Sequence, residues 1–102
     1  MGIIMRILKF GGTSVGSPEN IQKVIAVVKK RAQKENIAVV VSAVGGITNK
    51  LLDAGHLAAQ KDTTYSAIFQ EIKDIHLTYT KELTQSGETF LHVQSLMNDL
   101  EA

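Results

Sequence analysis

The sequence predicts an α/β chain: a β-α-β unit that begins a parallel sheet, then three helices, in a domain left incomplete at 102 residues. Three observations predict it. The run from Ile37 to Ser42 is rich in β-branched residues and does not alternate, as a strand buried on both faces of a parallel sheet reads. Between it and an earlier apolar run, hydrophobic residues recur at helical spacing, as a crossover helix requires. From about Ile47 onward the periodicity is helical throughout.

The elements follow in order. Ile3, Ile4, Met5, Ile7 and Leu8 form a first strand spanning Ile3 to Leu8. Ser17-Pro18 opens a helix, because serine caps the free N–H groups of a first turn and proline fits the first helical position. Ile21, Val24, Ile25, Val28 and Ala32 form its apolar stripe, with Lys23, Lys30, Arg31 and Lys34 on other faces and Asn36 marking its end. The second strand is the Ile37–Ser42 run, and the crossover is expected to be right-handed. A helix rich in leucine and alanine occupies about Ile47 to Gln60. Tyr65, Ile68, Ile72, Ile75, Tyr79 and Leu83 mark a long amphipathic helix, Ser86-Gly87 breaks it, and Phe90, Val93, Met97 and Leu100 mark the last. Residues 1–46 thus read as the β-α-β unit and 47–102 as a helical segment. Two strands make a poor sheet, so the whole reads as the start of a larger α/β domain.

Composition narrows the function. At 44% hydrophobic and 21% charged the chain reads as an ordinary globular sequence. It has no cysteine, so disulfides and zinc–thiolate sites are excluded and a cytoplasmic location is expected. The longest apolar stretch, Ile37 to Val44, is too short to span a membrane, and no membrane partner is expected. The start lacks the basic flank and cleavage site of a signal peptide, and Arg6 stands where a myristoylation signal needs Ser or Thr. Residues 1–50 carry eight Lys/Arg against two acids (+6), and residues 51–102 carry three against eight (−5). The basic residues lack interleaved aromatics, so no nucleic-acid partner is expected.

The chemistry concentrates in two stretches. "KFGGTSVG", Lys9 to Gly16, places three glycines and two hydroxyls behind a lysine at a strand-to-helix junction. Glycine lets backbone N–H groups close on phosphate oxygens, and a helix N-terminus adds partial positive charge. It is neither a Walker A loop, since Ser17 stands where lysine is required, nor a GxGxxG fingerprint. From these residues alone, phosphate binding stands little ahead of a tight turn that favours glycine. "VVVSAVGGITNK", Val39 to Lys50, holds the equivalent place after the second strand, where open parallel sheets bind ligands. Taken alone, Ser42 ending a strand and Thr48 capping a helix suffice to explain it.

Together, Lys9–Gly16 and the pair Val41-Ser42-Ala43 with Gly46-Ile47-Thr48-Asn49 resemble the two signatures of aspartokinases, within the amino-acid kinase family. Their order and spacing match, and the resemblance covers residues 3–52. It implies an amino-acid-kinase-type parallel sheet and transfer of the ATP γ-phosphoryl group to the side-chain carboxylate of L-aspartate, on the way to lysine, threonine and methionine. Lys9 would be the catalytic residue, contacting the transferring phosphoryl group. Lys9, Gly11, Gly12, Thr13 and Ser14 would bind the ATP phosphates, and Ser42 and Thr48 would hold the aspartate. Magnesium would arrive with ATP, and no resident metal or permanently bound cofactor is implied. The residues that complete such a site lie further along the family's chains. The expectation is therefore the N-terminal part of an aspartokinase, or of one fused to homoserine dehydrogenase, inactive alone and prone to form a homo-oligomer.

Other features carry less. His56, His76 and His92 lack i, i+4 partners and read as surface or packing residues. Glu71 and Asp74 read as a solvated acidic face, and the Tyr65–Leu83 stripe as core. Two other functions remain open: a non-catalytic helical interaction module, and a free-standing anion-binding domain using the same loop.

Overall fold

The structure, a computed structural model, describes residues 4–101. Met1-Gly2, Ile3 and Ala102 lie outside the described residues. The chain divides into two compact units, one running to Gly46 and one starting at Ile47.

The first unit is β-α-β. Strand β1 (Met5–Phe10), helix α1 (Pro18–Ala32) and strand β2 (Asn36–Val41) follow in order, and the strands pair in parallel. The register runs from Met5 opposite Asn36 to Phe10 opposite Val41, and the Ser42 N–H extends it by donating to the Phe10 carbonyl at 3.0 Å. Strand β1 therefore starts later than its apolar run suggested and reaches two residues further. Lys9 and Phe10 are drawn into the strand because Val40 and Val41 stand opposite them. Ser17 caps α1 as expected: its backbone is extended (φ −153°) and its Oγ accepts the Asn20 N–H at 3.2 Å. Asn36 does not mark the helix end. The helix closes at Ala32, the Lys34 and Glu35 N–H groups fold back on the Arg31 carbonyl, and Asn36 already pairs in β2.

Glu35 secures that return. It accepts from Arg6 Nε at 2.9 Å and lies 3.5 Å from Arg31, tying the start of β1 to the end of α1. The Arg6 hydrogen bond holds the Glu35 carboxyl below the usual carboxylate value, and the same contact raises the Arg6 guanidinium.

The expected burial of β2 on both faces is not met within the chain. Helix α1 packs on β2, yet Val39, Val40 and Val41 remain 42%, 49% and 56% exposed, and Ile7 of β1 is 69% exposed. A sheet of two strands and one helix has too few neighbours to cover both faces.

The second unit holds α2 (Ile47–Ala59), α3 (Tyr65–Leu83) and α4 (Gly87–Glu101). Helix α3 packs against both others, and its Ile72 is 1% exposed. Ile68, Ile75, Tyr79 and Leu83 are half-buried as the stripe predicts, while Tyr65, at the helix start, is exposed. Lys50 Nζ meets Glu71 at 2.8 Å between α2 and α3, and Lys73 Nζ donates to Asn98 at 2.6 Å between α3 and α4. The break before α4 lies at Thr84–Ser86. Gly87 is the first residue of the new helix, and Ser86 Oγ caps it by accepting the Thr89 N–H at 3.2 Å. Between α2 and α3, Lys61 takes a left-handed backbone (φ 58°) and Asp62 accepts from the Thr64 hydroxyl and N–H, which lowers its carboxyl pKa.

Candidate functional site

The site is built around the turn that joins β1 to α1. Two carbonyls of this turn accept hydrogen bonds from the protein, and a third is packed against backbone. The Gly11 carbonyl accepts the Val15 N–H at 3.3 Å. The Thr13 carbonyl accepts the Gly16 N–H at 3.2 Å and Asn20 Nδ2 at 3.0 Å. The Gly12 carbonyl oxygen lies against Gly16 and Gly45. The N–H groups of Gly11, Gly12, Thr13 and Ser14 have no partner among the described residues. A run of free backbone donors ahead of a helix N-terminus is a concavity suited to an anion.

The second glycine-rich stretch meets this turn within the same unit. A Cβ built on Gly12 would stand 3.6 Å from Gly45 Cα and 3.7 Å from Ser42 Oγ. The Ser42 hydroxyl is exposed and donates to the Ala43 carbonyl at 3.0 Å. Both segments thus lie together beyond the carboxyl ends of the strands. Lys9 is exposed, one residue before the end of β1. Because strand side chains alternate, it shares a face with Met5 and Ile7, opposite the face of Phe10.

Thr13 and Ser14 also share a groove of about 300 Å³ with Asn20 and Lys23 of α1, completed by Phe10, Val24 and Val27. Lys23, off the apolar stripe of α1 and exposed, also borders this groove. Asn20 was not singled out; its position three residues after the capping Ser17 was the available signal. Thr48 belongs to the second unit. It is the second residue of α2 and exposed, not the residue before the helix. Gly46, directly before α2, adopts φ 86°, a left-handed backbone that favours glycine.

The three histidines, His56, His76 and His92, belong to the second unit. His76 Nδ1 is 2.7 Å from the Ile72 carbonyl oxygen, which can only accept, so Nδ1 carries the proton. Among the described residues no three His, Asp or Glu side chains gather as a metal-binding group. No helix among them is long and apolar enough to cross a membrane.

Residues 5–100 match the amino acid kinase family. Over 99 residues, 97% of the chain, it is 31% identical to the bifunctional aspartokinase/homoserine dehydrogenase 1 of Zea mays, of which this is 11%. The corresponding protein of Arabidopsis thaliana is 33% identical over 90% of the chain and 10% of its own length. The aspartate kinase Ask_LysC of Stutzerimonas stutzeri is 54% identical over 48 residues, 46% of the chain and 12% of that protein. The chain thus spans about a tenth of the length of the curated relatives it matches.

Proposed function

Because the chain belongs to the amino acid kinase family, we propose that it forms the N-terminal part of an aspartate kinase, which transfers the ATP γ-phosphoryl group to the side-chain carboxylate of L-aspartate. The observation that carries the reading is the meeting of the two glycine-rich segments. Gly12, within the run of free N–H groups from Gly11 to Ser14, lies beside the Ser42 hydroxyl, which supports a phosphate site next to an acceptor site.

In this reading the N–H groups of Gly11 and Gly12, with Thr13 and Ser14, hold phosphate oxygens, and the Lys9 ammonium offsets charge on the moving phosphoryl group. A carboxylate oxygen of aspartate bonds to the γ-phosphorus as the bond to the ADP oxygen breaks, and ADP leaves with that electron pair. Such a reaction depends on positioning and charge stabilisation more than on covalent help. Ser42 and Thr48 orient the aspartate. Magnesium enters on ATP as part of the substrate. The donors around the turn are N–H, ammonium and hydroxyl groups, which suit phosphate oxygens. The reading places the protein in the cytoplasm and in lysine, threonine and methionine synthesis. It takes ATP and L-aspartate as partners and a second copy of the chain as an associate of the isolated fragment.

The test is hydroxylamine trapping of the acyl phosphate. A complete enzyme carrying these residues should form the hydroxamate from ATP and L-aspartate, and the 102-residue chain alone should form none. Transfer to a different acceptor with aspartate inert would overturn the substrate assignment. Hydroxamate made by the pure short chain would overturn its incompleteness.

A further inference from the structure

Gly12 is held between two other glycines. A Cβ on Gly45 would stand 3.0 Å from the Gly12 carbonyl oxygen and 3.4 Å from Gly16 Cα. A Cβ on Gly16 would stand 3.0 Å from the same oxygen and 3.3 Å from the Thr13 carbonyl oxygen. These distances are inside ordinary van der Waals contact, and every neighbour is backbone, which cannot rotate aside as a side-chain tip can. A side chain at either position would therefore press on the Gly12 carbonyl.

We propose that Gly16 and Gly45 are positioning residues that clamp the Gly12 carbonyl and thereby aim the Thr13 N–H at the bound phosphate, a role that rests on the phosphate-binding reading above. The physical link is the peptide plane. The described peptide bonds are trans, so the carbonyl of one residue and the N–H of the next point in opposite directions. Fixing the Gly12 carbonyl on the protein side turns the Thr13 N–H away from it. The flanking peptides obey the same rule by hydrogen bonds. The Gly11 carbonyl is held by Val15 N–H, which aims the Gly12 N–H, and the Thr13 carbonyl is held by Asn20 Nδ2, which aims the Ser14 N–H. The middle peptide of the three is instead packed beside Gly16 and Gly45, and Gly45 belongs to the loop after β2. Gly45 thus links the acceptor-side loop to the phosphate-side turn: a shift in one moves a donor in the other.

The experiment titrates the uniformly ¹⁵N-labelled 102-residue chain with magnesium pyrophosphate and follows backbone amide shifts. Wild type should respond at Gly12, Thr13 and Ser14. Gly45→Ala and Gly16→Ala should each weaken the response about tenfold, since misplacement by a fraction of an ångström is costly at such sites, with Thr13 the most affected. Gly55→Ala, whose Cβ would meet nothing within 4 Å, should leave the response unchanged. Far-UV melting separates this effect from unfolding. A response lost with the melting transition retained supports the clamp. A wild-type response that Gly45→Ala and Gly16→Ala leave intact overturns the clamp alone, whereas a wild type with no response at the turn overturns the phosphate reading and the clamp together. If Gly45→Ala unfolds the first unit, Gly16→Ala decides. Unfolding in both variants also overturns the clamp, because the glycines would then serve the fold and not the donors.

Discussion

At the scale of single residues, Lys9 and Thr48 carry separable halves of the proposed reaction. Lys9 is exposed at the strand end, one residue from the free donors of the turn. Replacing it with alanine in a complete enzyme should lower turnover about 10²–10³-fold, the usual cost of removing one preorganised charge-stabilising group. Steady-state kinetics with near-normal turnover and unchanged ATP affinity would remove Lys9 from the phosphoryl step. Thr48 offers an exposed hydroxyl on the first turn of α2. Thr48→Val should raise the KM for aspartate about tenfold and leave that for ATP nearly unchanged, because an unpaired polar group on the substrate costs about 1–3 kcal/mol. Equal rises for both substrates would reduce Thr48 to a contributor to the helix. Asn20 and Lys23 join the site from α1 through a hydrogen bond and a shared groove, and both were hidden behind ordinary helix periodicity.

At the scale of elements, Glu35 bridges Arg6 at the start of β1 and Arg31 at the end of α1. The Arg6 contact lowers the folded-state pKa of Glu35 relative to an unfolded chain. The stabilisation is therefore full above the ordinary carboxylate pKa and is lost as pH falls through the lower, folded value. Asp62, lowered by its hydrogen bonds to Thr64, has the same sign. Melting followed by circular dichroism should show the first unit losing stability as pH drops below the ordinary carboxylate range. Glu35→Gln should flatten that dependence and be less stable than wild type at neutral pH. An unchanged acid profile in the variant would show that the exposed pair contributes nothing, as many surface pairs do. The helices were legible because each carries its own local signal: Ser17 before Pro18, the three-and-four stepping from Tyr65 to Leu83, and Ser86 ahead of Phe90. The strand ends were less legible. The pairing of Lys9 and Phe10 with Val40 and Val41 is made thirty-one residues away along the register, beyond any local pattern.

At the scale of the molecule, the chain exposes much of what it should bury. Among the described residues only Val15, Ile47 and Ile72 are apolar and fully buried, at 7%, 3% and 1%. Ile7, Val40 and Val41 on the strands, and Leu91, Leu96 and Leu100 on α4, are 49–69% exposed. Exposed apolar area drives association, and free strand edges invite pairing with another chain. The charge asymmetry of +6 on residues 1–50 and −5 on residues 51–102 adds attraction between unlike halves of two copies. Light scattering should find the isolated chain associated at high concentration, with the electrostatic part weakened by salt. A strictly monomeric, well-folded chain under those conditions would defeat this expectation.

The sequence by itself determined the α/β class, the order of the six elements, the cap of α1, and the two glycine-rich stretches at the strand ends. Each of these rests on residues within a few positions of one another, where spacing and residue chemistry act directly. The tertiary structure alone decided that Gly12 lies wedged between Gly16 and Gly45, that Asn20 holds the Thr13 carbonyl, that Lys23 reaches the groove beside Ser14, and that α3 is the helix both others pack on. The approach of Gly45 to Gly12 spans more than thirty residues. It exists only because β2 lies parallel to β1 in register, bringing the two turns out at the same edge. Non-local contacts of that kind depend on the closed geometry of the sheet and leave no periodic trace along the chain.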